Sequence, residues 1–194
     1  MYLIFDSGIL DDDMSLLEYV LQPLEEALIK INEKIEIAKI EARDLDASGL
    51  LDRGEHLIGL AFTACQKYMS STFRQSGLNK EAAFKLGQNH SSGESYAYII
   101  HAVANYWKHC DEWKTTTAIL VPDSEIMEII IRDYELLENI AKRTVNTIEK
   151  VSSWADYTCA NVLAAITDTE KLSVLALIPI LLEWRDTLIN SKIS

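Results

Sequence analysis

From Leu17 the apolar residues fall at Leu17, Leu21, Leu24, Leu28, Ile31, Ile35, Ala38, Ala42 and Leu45, in alternating steps of four and three. That spacing keeps one side of an α-helix apolar over many turns and predicts a long N-terminal amphipathic helix. Asp12 or Asp13 is placed to cap its start, and Ser48-Gly49 closes it. Pro23 lacks the N–H for the bond to the preceding turn and predicts a kink or a second segment. A stripe of this length suits packing within one chain or a seam between two, and packing within the chain is the expectation.

A second helix is predicted from Leu50 to Arg74, with Leu57, Leu60, Ala61, Ala64, Cys65 and Tyr68 on its buried side. Gly59 lies inside it at a cost of about 1 kcal/mol relative to alanine, a mark of close helix packing. Asn79 caps a short piece ending at Gly87, Asn89-His90-Ser91-Ser92-Gly93 is a loop, and the next helix covers Glu94 to Trp113. Thr115 to Asp123 reads as a connector whose β-branched residues permit a short extended stretch. Helices are then predicted at Ser124 to Val151, Ala155 to Ile166 and Glu170 to Ser191, with caps from Asp123 or Ser124, Ser153, and Thr167 or Asp168. Seven glycines and three prolines leave little material for hairpins. The pattern predicts an all-α, single-domain helical bundle of six to seven helices over residues 1–194, without linker, repeat or low-complexity segment.

Composition adds that 48% of the 194 residues are hydrophobic and that 30 acidic residues outnumber 18 Lys and Arg, for a net charge of −12. The apolar content excludes a disordered chain, and the charge disfavours a basic-patch DNA binder or an anionic-membrane binder. The charge is uneven. Residues 1–58 hold 14 acids and 5 bases, residues 59–118 hold 4 and 6, and residues 119–194 hold 12 and 7. The middle third therefore meets an anion at the least electrostatic cost. Cys65, Cys110 and Cys159 are odd in number and widely spaced, neither a disulfide framework nor a zinc ribbon. The first residues lack the basic start of a secretory signal, and the apolar run Leu172 to Leu182 is shorter than the roughly 20 residues of a membrane span. A cytoplasmic protein with reduced thiols and no membrane association is expected.

The helix from Glu94 to Trp113 concentrates the unusual residues. Glu94, His101, Asn105 and His109 share one face, because seven residues return to within about 20° and each further step of four adds about 40°. Tyr98 and Glu112 flank that face. His101 and His109 stand about 12 Å apart along the axis, too far to share one ion. No Glu precedes a histidine by three residues, so the di-iron motif is absent, and no metal or cofactor is expected. The acidic pairs Glu33 with Glu36 and Glu41 with Asp44 lie on one helix and read as a solvated face rather than a magnesium site. Acid–base or nucleotide chemistry remains. His109 suits proton transfer, Asn105 orients a substrate or the ring, and Lys108 holds a phosphate, with His101, Tyr106 and Trp113 completing the substrate surface. A structural role, in which Asn105 and His109 bond neighbouring helices and the tryptophans fill the core, competes with it.

Asn105-Tyr106-Trp107-Lys108-His109, within a helix of an acidic all-α chain, resembles the motif helix of the HEPN superfamily. The resemblance implies a helical bundle, usually a dimer whose motif helices meet in a shared cleft, and roles in toxin–antitoxin and defence systems. Catalytic members are metal-independent RNases with Arg-x(4–6)-His, a polar residue following the Arg. His109 takes the histidine's place and Asn105 that of the polar residue, which leaves Ala104 where the Arg belongs. No other histidine has an Arg at motif spacing. The stabilising cation would then come from Lys108 or another subunit, and the resemblance implies binding of RNA or nucleotide ahead of efficient cleavage. The alternative is a non-enzymatic immunity or antitoxin-type protein whose acidic helices neutralise a basic toxin partner.

Overall fold

The apolar stripe forms α1 (Asp12–Ile40), whose Met14, Leu17, Leu21, Leu28 and Ala38 are buried. It packs along α3 (Leu50–Phe73), so the stripe is used within the chain. The structure, a computed structural model, describes residues 2–5, 8–115, 139–152, 156–167 and 171–191, without the side chains of Ile4, Cys110, Trp113, Lys114 and Thr115. Among the described residues the fold is helical apart from one hairpin, and no helix is long and apolar enough to cross a membrane.

The N-terminus departs from the prediction. Strands β1 (Tyr2–Phe5) and β2 (Gly8–Asp11) form an antiparallel hairpin with Leu3 opposite Leu10. Its inward residues anchor it: Tyr2 is buried, and Asp11 accepts from Tyr68 Oη (2.7 Å) and Arg185 Nη1 (3.1 Å). Asp11, rather than Asp12 or Asp13, caps α1 by accepting from the Met14 amide. Pro23 sits inside an unbroken α1. One lost backbone bond does not outweigh the apolar packing that continues on both sides of it. The helix ends at Ile40, ahead of the expected Ser48, where Ala42 turns to a φ of 52°. Asp44 then caps the one-turn α2 (Leu45–Ser48).

Helix α3 matches its predicted span, but its buried face is carried by Ile58, Phe62 and Met69 beside Ala61, Cys65 and Tyr68, while Leu60 is 51% exposed. Asn79 caps α4 (Lys80–Phe84) through the Ala82 amide. Ser95 accepts from the Tyr98 amide to open α5 (Tyr96–Thr115) and donates to the Phe84 carbonyl, tying α4 to α5. Residues 139–151 form α6, followed by α7 (Thr158–Thr167), one 3-10 turn at Val174–Ala176 and α8 (Leu177–Asn190). The last helix thus begins later than the expected Glu170, with Ala176 at its N-cap in place of the expected Thr167, and the Asp168 cap lies outside the described residues. Glu25 of α1 accepts from the Val174 and Leu175 amides at that turn instead. The predicted connector beyond Thr115, the start of the Ser124 to Val151 helix and the Ser153 cap lie outside the described residues. Buried side chains of α1 and α3 to α8 form one hydrophobic cluster, with Trp184, Phe62 and Phe84 its largest fully buried members.

Candidate functional site

Three helices enclose a cavity of about 450 Å³ around the polar face of α5. From α5 come Tyr98, His101, Ala102, Asn105, His109 and Glu112; α4 adds Lys80, and α6 adds Ile140, Arg143, Thr144 and Thr147. Phe84 fixes α4 here, its ring set edge-on against His101 (5.0 Å between centroids), Phe73 and Trp184. Lys80 Nζ lies 5.5 Å from the same ring's centroid, at the cavity's edge. Lys150, late in α6, pairs with Glu94 just before α5, so the two helices run in opposite directions along the cavity.

The floor of the site is a side-chain network centred on Gln66 of α3. Its amide nitrogen lies 2.6 Å from His101 Nδ1 and donates to Asn105 Oδ1 at 2.8 Å, and its oxygen accepts from Lys108 Nζ at 2.5 Å. The other ring nitrogen, Nε2, faces the Asn105 amide nitrogen at 3.1 Å, and the neutral ring accepts at one of these two nitrogens. Burial, reinforced by the charges of Lys80 and Lys108, lowers the His101 pKa to about 3. His101 is therefore neutral near pH 7 and does not act as a proton donor there. Burial also lowers the Lys108 pKa, and lowers that of Lys80 together with the nearby Lys108 charge.

His109 has a different environment. It sits at the cavity's outer end, its Nδ1 2.9 Å from Glu112 Oε2. Because a carboxylate only accepts, Nδ1 carries the proton and Glu112 orients the ring. This is the arrangement in which a carboxylate holds a histidine for proton transfer.

The expected site residues divide accordingly. His101, Asn105 and His109 line the cavity, and Lys108 reaches its floor through Gln66. Tyr106 packs against the hydrophobic core and is not a cavity residue. The Trp113 side chain lies outside the described part of the molecule. Of the two residues given the competing structural role, Asn105 bonds the neighbouring helix α3 through Gln66, whereas His109 meets Glu112 of its own helix; His101, not named for that role, also bonds Gln66. Three participants were not anticipated. Gln66 carried a signal, a polar residue in the apolar series Phe62, Gln66, Met69, Phe73. Lys80 and Arg143 carried none, since only the tertiary fold brings α4 and α6 to α5. Among the described residues no group of three His, Cys, Asp or Glu side chains is placed to hold a metal ion. No protein-family model, curated protein or solved structure matches this chain.

Proposed function

We propose that this chain is a HEPN-like helical protein, of the kind that serves prokaryotic defence or toxin–antitoxin systems, and that it binds RNA or nucleotide in the α4–α5–α6 cleft. The observation that carries the reading is that Lys80 and Arg143 line the same cavity as Asn105 and His109. Ala104, at the motif's arginine position, is completely buried, so a cation there would point into the core. Lys80 and Arg143 supply positive charge from neighbouring helices instead. In this reading they hold the phosphate, Asn105 orients the ligand, and His109 with Glu112 is the proton-transfer group. Cleavage is slow compared with a site whose arginine accompanies its histidine.

The test measures binding of a short single-stranded RNA by fluorescence anisotropy, and its cleavage on gels, for the native chain, Arg143→Ala and His109→Ala. Arg143→Ala should weaken binding by about tenfold, with a reduced salt dependence. His109→Ala should abolish any cleavage and leave binding within about threefold. Absence of RNA binding by the native chain, or identical behaviour of all three proteins, rejects the proposal. The dimer implied by the HEPN resemblance is tested separately by sedimentation.

A second reading has its own observation. Residues 1–29 contain seven acids and no base, and the same stretch exposes Leu16 (61%) and Tyr19 (79%). An apolar patch among carboxylates suits a basic protein partner such as a toxin. That reading requires Tyr19 and its acidic neighbours, and tolerates His109→Ala.

A further inference from the structure

We propose that the group seated in this cleft is a terminal phosphate, a phosphomonoester dianion, in preference to an internal phosphodiester; this rests on the reading that the cleft binds nucleotide or RNA. In a chain with 30 acidic residues, cations normally find carboxylates. Among the described residues, Lys80 and Arg143 take part in no ion pair although both line the cavity. The acids nearby hydrogen-bond elsewhere: Glu81 binds Lys85 at 2.8 Å and feels the Arg143 charge without pairing with it, Glu94 binds Lys150, and Glu112, the cavity's own carboxylate, holds His109. Lys108 is near enough for its charge to act on Lys80, so the positive charges repel one another across the site.

The second observation is Thr144. It is buried, 5% exposed, and lines the cavity, yet its hydroxyl has no hydrogen-bond partner among the described residues. Its neighbour Thr147 spends its own hydroxyl on the Arg143 carbonyl at 3.0 Å. The hydroxyl opens onto the cavity and can donate to a ligand oxygen there. A terminal phosphate brings three peripheral oxygens and nearly two negative charges above its second pKa of about 6. An internal diester offers two such oxygens and one charge. Two unpaired cations and one unpartnered hydroxyl match the monoester. The cavity volume, about 450 Å³, accommodates one nucleotide.

The monoester can belong to a free mononucleotide or to the end of an RNA chain, and calorimetric titration of the full-length protein distinguishes them. The probes are adenosine, adenosine monophosphate, the diester ApA, and a hexanucleotide RNA with and without a terminal phosphate. Adenosine monophosphate should bind about tenfold or more tighter than ApA, and ApA no better than adenosine. Lys80→Gln and Arg143→Gln should each weaken monophosphate binding about tenfold and leave adenosine unchanged. Thr144→Val should weaken it by about three- to tenfold, with an unaltered circular dichroism spectrum confirming the fold. Affinity should fall between pH 7 and 5 as the monoester gains its second proton. A phosphorylated hexanucleotide that outbinds the mononucleotide identifies an RNA end, and equal affinities identify a free nucleotide. ApA or unphosphorylated RNA binding as tightly as the phosphorylated probes overturns the inference and leaves the nucleic-acid reading standing. Failure of every probe overturns both.

Discussion

Trp107 of α5 fills the space directly over Gly59 of α3: a β-carbon at position 59 would stand 2.6 Å from Trp107 Cε3 and closer still to Cδ2. The indole is also met edge-on by His56 at 5.0 Å, so it is wedged between two helices rather than offered to a ligand. Gly59→Ala should therefore destabilise the protein by about 1–3 kcal/mol, because overpacking outweighs the gain of about 1 kcal/mol in helix propensity. In a Trp107→Leu background the same substitution should become neutral or stabilising. Urea unfolding of the four proteins reads this sign change, and additive effects would refute the contact.

Two tyrosines near Asp11 should respond oppositely to losing their hydroxyls. Tyr68 donates to Asp11 Oδ2 at 2.7 Å, beside Arg185, so Tyr68→Phe should cost about 1–2 kcal/mol. The Tyr2 hydroxyl is buried without a partner, so Tyr2→Phe should stabilise by up to about 1 kcal/mol. Thermal unfolding of the two variants is sufficient, and a loss of stability in Tyr2→Phe would contradict the assignment.

These contacts also show what was legible in the sequence. The stripe from Leu17 to Ala38 and the packing role of Gly59 follow from periodicity and from the scarcity of a reason for glycine inside a helix, so α1, α3 and their contact were readable. The hairpin was not. Tyr2 to Asp11 has no turn signature of the Asn-Gly type, and it is held by Tyr68 and Arg185, far away in sequence. The polar face of α5 was visible as spacing, but its chemistry was not. His101 looked equivalent to His109 until Gln66 placed one in a buried network and Glu112 the other at an outer edge.

Part of the acidic N-terminal third is structural rather than superficial. Glu55 accepts from the Cys159 and Ala160 amides at 2.7 and 2.9 Å, capping α7, just as Glu25 caps the turn at Val174. A carboxylate at these positions satisfies orphan N–H groups and complements the positive helix end. Glu55→Ala and Glu25→Ala should each cost about 1–2 kcal/mol, whereas the exposed Glu33→Ala should change stability by less than about 0.5 kcal/mol. Hydrogen exchange should accelerate in Thr158–Thr167 for Glu55→Ala and around Val174 for Glu25→Ala. Uniform effects of all three substitutions would mean that the acids act only through net charge.

His101 makes acid sensitivity a property of the site. In the unfolded chain its imidazole takes a proton near 6.5, whereas burial and the Lys80 and Lys108 charges hold it neutral in the native state down to about 3. Between these values the unfolded chain carries one more proton than the native chain, so acidification favours unfolding. The stability associated with neutral His101 is complete above about 6.5 and is lost as pH falls towards 3, by at most about 1.4 kcal/mol per pH unit. His101→Gln removes this titration, although it lowers stability at neutral pH by disturbing the Gln66 network. The variant should show a shallower fall of stability between pH 6 and 4, by the slope of one proton, when urea unfolding is followed across that range. Identical slopes would show that His101 titrates as an exposed histidine, and the buried network with Gln66 and Asn105 would have to be abandoned.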